Sequence, residues 1–147
     1  MSIVEVAKLE IGTYEFPNDT NKTKYGKWFG FDGVPWCGIF VSWCYAQAGF
    51  PLPKIGFTKG FAGCQTAVAY FKKNGMITEN PVAGDIVFFD WNGDGRFDHT
   101  GIFEKWIDDN CFLTIEGNTS FLNQSNGGVV MNRERVNRNV LFVHLKK

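Results

Sequence analysis

The chain is expected to fold as an α+β domain, its N-terminal helices packed on one face of an antiparallel β-sheet. Two observations predict this. As far as about residue 75, the sequence falls into helix-length segments bounded by capping and stop residues. After Pro81 the pattern changes to short runs rich in β-branched and aromatic residues, separated by turn residues. Helices followed by consecutive strands define the α+β class. A length of 147 residues fits one domain, 1–147, with a single core.

The elements follow in order. Ser2 and Glu5 make a capping-box pattern, and the helix they open is expected to end near Gly12. From about Asn18 to Pro35 the chain is rich in Asn, Thr, Gly and aromatics and reads as a long ordered loop. A second helix is expected from Trp36 or Cys37 to Ala48, stopped by Gly49 with Pro51 beyond. A third spans about Cys64 to Asn74 and closes at Gly75. The strands are expected in DIVFFDW, HTGIFEKW, CFLTIEG, GGVVMNRE and VLFVHLK. No internal repeat, low-complexity tract or linker-like stretch interrupts them.

Charge and hydropathy exclude several functions. The formal net charge is zero, with 15 basic and 15 acidic residues, and no basic block marks a nucleic-acid footprint. No run approaches the roughly 20 apolar residues that cross a bilayer, so membrane insertion is not expected. MSIVEVAKLEIG lacks the basic leader, unbroken apolar stretch and cleavage site of a signal peptide. The expectation is synthesis in the cytoplasm, with any action outside depending on another route of release.

Four cysteines without a CxxC pair suggest neither a disulfide framework nor a zinc site. Cys37 and Cys44 lie seven positions apart on one predicted helix, about 10 Å between Cα atoms, beyond the ~7 Å reach of a disulfide. Cys44, Cys64 and Cys111 sit among apolar neighbours and read as small buried hydrophobes. Cys37 differs because it falls at the first turn of its helix. There the partial positive charge and unpaired N–H groups favour a thiolate and can also stabilise an oxyanion.

The chain has two histidines. His99 opens a predicted strand straight after a turn, at the rim of the sheet, where a neutral imidazole can exchange a proton with a thiol. His144 lies in an apolar strand and reads as a core or sheet-edge residue. Glu116 and Asn118 close the next strand. If that strand pairs antiparallel with the one begun by His99, either residue returns to the His99 end and can accept its Nδ1–H, fixing the tautomer. Each feature is weak alone. Together they give the papain-like order of nucleophile, base and orienter.

These segments closely resemble the CHAP family, the cysteine- and histidine-dependent amidohydrolases and peptidases of the papain-like superfamily. The resemblance is carried by YGKWFGFDGVPWCGIFVSWCYAQAG, GDIVFFDW, DHTGIFE and TIEGN. It implies Cys37 as nucleophile, His99 as base, Glu116 as orienter and Asn118 as a further polar member of the site. It implies peptidoglycan as partner, cut as an N-acetylmuramoyl-L-alanine amidase or as an endopeptidase of the stem or cross-bridge. The KYGKWFG segment looks like that of phage endolysins, which implies release to the wall during phage lysis. IEGN favours this branch over the related NlpC/P60 enzymes, which often carry a second histidine. With no separate wall-binding module in the sequence, targeting by another domain or subunit is one expectation.

The chemistry implies no cofactor. DWNGDGRFDH nevertheless places oxygen side chains at Asp90, Asn92, Asp94 and Asp98, and its start matches the D-x-N-x-D-G of a calcium loop. The match fails at the twelfth position, which is Gly101. Some CHAP domains bind Ca²⁺ near the active site, often through acids upstream of the nucleophile, where this chain offers mainly Asp32. A calcium ion here would have a structural role, fixing the turn that carries His99; the alternative is a plain hairpin turn of Asn, Gly and Asp. Trp28, Phe29, Phe31 and Trp36 are candidates for the floor of a substrate cleft, with core packing the alternative. Trp91 and Trp106 read as sheet residues. Two other functions share these features: a thiol hydrolase acting on a protein substrate, and a non-catalytic wall-binding module that keeps the fold.

Overall fold

The computed structural model describes residues 1–145. Its helices are α1 (Ile3–Lys8), α2 (Lys24–Phe29), α3 (Cys37–Gln47) and α4 (Cys64–Lys73). Its strands are β1 (Ile77–Thr78), β2 (Ile86–Phe89), β3 (His99–Trp106), β4 (Cys111–Thr119), β5 (Val129–Val136) and β6 (Val140–Val143). The strands form one antiparallel sheet in the order β1-β6-β2-β3-β4-β5. The expected α+β architecture is therefore the observed one.

The local signals act as expected at α1, where Ser2 Oγ accepts from Glu5 N and Glu5 Oε1 accepts from Ser2 N. The helix proper stops at Lys8, and tighter turns carry the chain on to Gly12. Gly49 and Gly75, both at positive φ, follow the ends of α3 and α4. The segment 18–35 departs from expectation because it contains α2. Thr23 caps that helix by accepting from Gly26 N, and Gly30 ends it in the left-handed region. Six residues that include a glycine and three aromatics carry too little apolar periodicity to announce a helix. The short β1 was also not foreseen. The strand expected over VLFVHLK stops at Val143, and Lys146 lies outside the described residues.

The core places α3 at the centre. Of its eleven residues, Cys37–Ser42, Cys44 and Tyr45 are buried, so the helix is enclosed nearly all round. It packs between α1 and α2 on one side and the helix-facing side of β3 and β4 on the other, with Ile102 and Ile115 in the same core. A second apolar cluster, Val87, Phe89, Phe103, Phe112 and Phe142, occupies the opposite sheet face with Trp91 against it. Among the described residues no helix is long and apolar enough to cross a membrane.

Two glycines let α3 and the strands approach closely. A Cβ on Gly117 would stand 2.7 Å from Phe40 Cβ and 2.9 Å from the Trp36 ring. The bare backbone there lets the start of α3 lie directly on β4. A Cβ on Gly101 would stand 2.5 Å from Glu116 Cγ, so only glycine leaves room for Glu116 beside β3. The two motifs DHTG and EGN thus each pair a polar side chain with the gap that accommodates it.

Candidate active site

Cys37 is the first residue of α3, and its N-cap, Trp36, makes no side-chain capping bond. The N–H groups of that first turn have no side-chain acceptor from the cap and remain oriented toward the thiol end of the helix. His99 is the first residue of β3, directly opposite Phe89 on β2. Glu116 sits on β4, which pairs with β3 and brings the carboxylate back to the His99 end, as the sequence suggested. Cys37 is 6% exposed, and His99 and Glu116 are fully buried.

Glu116 Oε1 lies 3.0 Å from His99 Nε2. That is ion-pair distance without hydrogen-bond alignment, and neither ring nitrogen has an aligned partner in the protein. The nitrogen facing the carboxylate is Nε2 and not the expected Nδ1. The ring packs against Trp91, stacked at 5.6 Å, and Phe89, stacked at 6.1 Å, which also stack on each other at 5.2 Å. Trp91 therefore belongs to the base's surroundings and not to a strand, a role that alternation in the sequence does not report.

The carboxylate itself is fully occupied. Arg135 donates from Nε to Oε2 at 2.8 Å and from Nη2 to Oε1 at 2.5 Å, and Thr114 Oγ1 donates to Oε2 at 2.5 Å. Burial alone would raise the Glu116 pKa, but the Arg135 and His99 contacts outweigh it and hold the group down at about 2. For His99, burial disfavours the charged ring, yet the close polar contact and charge of Cys37 and then Glu116 push it up to about 9. The Cys37 thiol is held well below the ordinary thiol range. The leading cause is a hydrogen bond from Cys64, which together with His99 and the Thr100 backbone overcomes burial. At neutral pH these directions leave a thiolate beside an imidazolium.

Cys64 corrects an expectation. It is only partly buried, and its thiol lies within hydrogen-bond reach of Cys37, with its own pKa raised well above normal by that contact and by burial. Like Cys37 it opens a helix, and the structure brings the two helix starts together. A Cβ on Gly38 would stand 2.8 Å from the Phe61 ring, so the chain just before α4 lies against the first turn of α3. Gln65 adds a clamp, donating to Phe97 O at 2.7 Å and accepting from Phe97 N at 3.1 Å. The sequence signal was the shared position at a helix start; the missing information was which helix ends meet. Cys44, by contrast, is the expected inert residue, fully buried with its pKa raised by burial. Cys111 is partly exposed at the start of β4.

Asn118 is buried at φ 59°, beside a register shift between β4 and β5. Its Nδ2 donates to Asn126 Oδ1 and its Oδ1 accepts from Gly128 N, both at 2.9 Å. Those bonds fasten the 120–127 loop beside the site, and none of them goes to His99. Of the two residues that might have oriented the imidazole, the structure places Glu116 against it.

The candidate calcium loop is held by its own side chains. Asp90 accepts from Asp94 N and Gly95 N, Asp94 from Arg96 N, and Asp98 from Trp91 N at 2.9 Å. Asn92 is exposed. Among the described residues no three His, Cys, Asp or Glu side chains converge as metal ligands. The turn that carries His99 is fixed by these side chain–backbone bonds. Of the aromatics before the nucleophile, Trp36 and Phe29 are core residues, whereas Phe31 is exposed and packs on Phe57.

A thiol at the start of a buried helix, facing a histidine backed by a carboxylate, defines the papain-like thiol hydrolases. Comparison with protein families gives the specific member: the family model described as CHAP domain matches residues 29–118. The chain belongs to the CHAP family, whose members are cysteine- and histidine-dependent amidohydrolases and peptidases acting on peptidoglycan. No curated protein matches the chain.

Proposed function

We propose that the protein hydrolyses an amide bond of bacterial peptidoglycan, as an N-acetylmuramoyl-L-alanine amidase or a stem or cross-bridge endopeptidase, with Cys37 as nucleophile. The observation that carries this reading is the Cys37 thiol at the first turn of α3, beside a fully buried His99–Glu116 pair, in a chain of the CHAP family. The Cys37 thiolate attacks the carbonyl carbon, and N–H groups of the first turn of α3 receive the developing oxyanion. The His99 imidazolium gives its proton to the leaving amine, which departs as the acyl-enzyme forms. Water then attacks the thioester while neutral His99 takes its proton, and the thiolate is released. Glu116 keeps the imidazole oriented and favours its charged form; Asn118 holds the adjoining loop.

The likeness of Lys24–Gly30 to phage endolysins supports a lysin that meets the wall after release from the cytoplasm. Digestion of purified peptidoglycan by wild type and Cys37→Ala, with fragments identified by mass spectrometry, tests the reading. Fragments present only with wild type are expected, and their masses name the bond. Wall preparations left intact by the wild type, with and without Ca²⁺, would overturn it and turn attention to a protein substrate.

A further inference from the structure

We propose that Arg135 is a positioning residue for this hydrolysis, its fixed positive charge balancing Glu116 so that a thiolate–imidazolium pair forms in an electroneutral buried site. The proposal rests on the reading of Cys37 and His99 given above. Arg135 lies on β5, beyond the matched span 29–118. Its guanidinium is buried, makes two parallel bonds to Glu116 and a third, from Nη1, to Gln124 Oε1. It also lies 5.0 Å over the Trp91 ring and 5.3 Å over the Phe89 ring, the same two rings that stack on His99. One cation therefore fixes both the acid and the aromatic sides of the base.

The electrostatic argument starts from burial. Glu116 is fully enclosed, and an enclosed carboxylate is costly unless paired. His99 cannot serve as that partner alone, because its positive charge is already matched by the Cys37 thiolate. With Arg135 in place, Cys37, His99, Glu116 and Arg135 carry alternating charges that cancel. Without it the pocket would hold a net negative charge, which opposes the thiolate and over-stabilises the imidazolium. The other titratable groups facing this chain do not replace Arg135. Cys64 on α4 is a neutral donor to Cys37, and Asp98 in the turn before β3 is negative. Arg133, the neighbouring cation on β5, is drawn away by bonds to Thr119 Oγ1 and Ser120 O.

A charge-balancing role has a signature that a packing role lacks. Removing a positive charge must raise the midpoints of both Cys37 and His99, whereas removing the negative charge of Glu116 must lower both. The measurement is the pH dependence of Cys37 alkylation by iodoacetamide, read by peptide mass spectrometry, with His99 titrated by NMR. Neither readout needs peptidoglycan, so the result stands apart from the test of wall hydrolysis. Arg135→Met is expected to move both midpoints up by about one unit, a tenfold loss of thiolate on the acid side. Glu116→Gln is expected to move both down, Arg135→Met combined with Glu116→Gln to return both near wild type, and Arg135→Lys to stay within a few tenths of a unit. In wall digestion, Arg135→Met should lower kcat with KM little changed, since the guanidinium is not at the surface. If Arg135→Met misfolds, the paired variant and Arg135→Lys, which respectively remove or keep both charges, still report. Unmoved midpoints in folded Arg135→Met would overturn the proposal. So would a paired variant that differs from wild type as much as Glu116→Gln alone does.

Discussion

The molecule contains two histidine–carboxylate pairs, one hydrogen-bonded through Nδ1 and one in ion-pair contact through Nε2, with different consequences. His144 Nδ1 meets Asp85 Oδ1 at 2.7 Å, and His99 Nε2 meets Glu116 Oε1 at 3.0 Å. In each the carboxylate is fully buried. The His144 ring is 45% exposed, and its backbone N–H donates to Met76 O, so the pair ties the end of β6 to the 82–85 turn and to the start of β1. The His99 ring is fully enclosed, packed against the stacked Phe89–Trp91 pair, with the Cys37 thiol nearby and an arginine behind its acid. A His–carboxylate contact is thus common structural material. It becomes a candidate catalytic device when burial forces its charges to be answered by a nucleophile and a fixed cation.

The comparison yields outcomes of graded size. Cys37→Ala or His99→Ala should reduce wall hydrolysis by at least roughly 10⁴-fold, because nucleophile and proton carrier act as one unit; assay of released amines checks this. Glu116→Gln should cost roughly 10²–10⁴-fold in kcat, since the imidazole loses its orienting acceptor. Asp85→Ala should leave kcat unchanged while lowering stability by about 1–3 kcal/mol in urea unfolding, the cost of buried bonds lost at a turn. A large kcat loss in Asp85→Ala would erase the distinction between the two pairs. Cys64→Ala should raise the Cys37 midpoint and slow its alkylation at mildly acid pH by roughly threefold to tenfold, as one pH unit is tenfold in thiolate.

The pH dependence follows from the signs of the shifts. His99 is raised, so its charged form is favoured by the fold. That contribution is complete below its ordinary value of 6.5 and is lost as pH rises through about 9. The same deprotonation removes the acid that serves the leaving amine, so activity should fall on an alkaline limb near 9. Glu116 is lowered, so its contribution is complete above 4.5 and is lost as pH falls toward 2. Thermal unfolding across pH 3–10 and a pH–rate profile test both limbs.

Much of this was legible in the sequence, and the particular residues show why. Ser2, Gly49 and Gly75 mark helix ends through local chemistry, and β3 was found over its full length by composition and flanking turns. Cys37 and His99 could be singled out because each opens an element, and Glu116 because antiparallel pairing returns its strand to the His99 end, although β4 runs on to Thr119. The interior of 18–35 hid α2, whose Thr23 cap and Gly30 stop enclose a segment too short for periodicity to register. Arg135, Trp91 and Cys64 were missed for another reason. Each matters only through a tertiary neighbour: Arg135 through its reach from β5 to Glu116 on β4, Trp91 through its stack on His99, and Cys64 through the meeting of two helix starts. The ring nitrogen that faces Glu116 is likewise set by tertiary packing and has no sequence signal.

The most direct test of the account is the pH dependence of iodoacetamide reaction at all four cysteines of the wild-type protein, resolved by peptide mass spectrometry. The account predicts that Cys37 reacts fastest, with a midpoint well below the ordinary thiol value of 9 that rises in His99→Ala and again in Cys64→Ala. A Cys37 that reacts no faster than Cys111, or with a midpoint near 9 whether or not His99 is present, would contradict it.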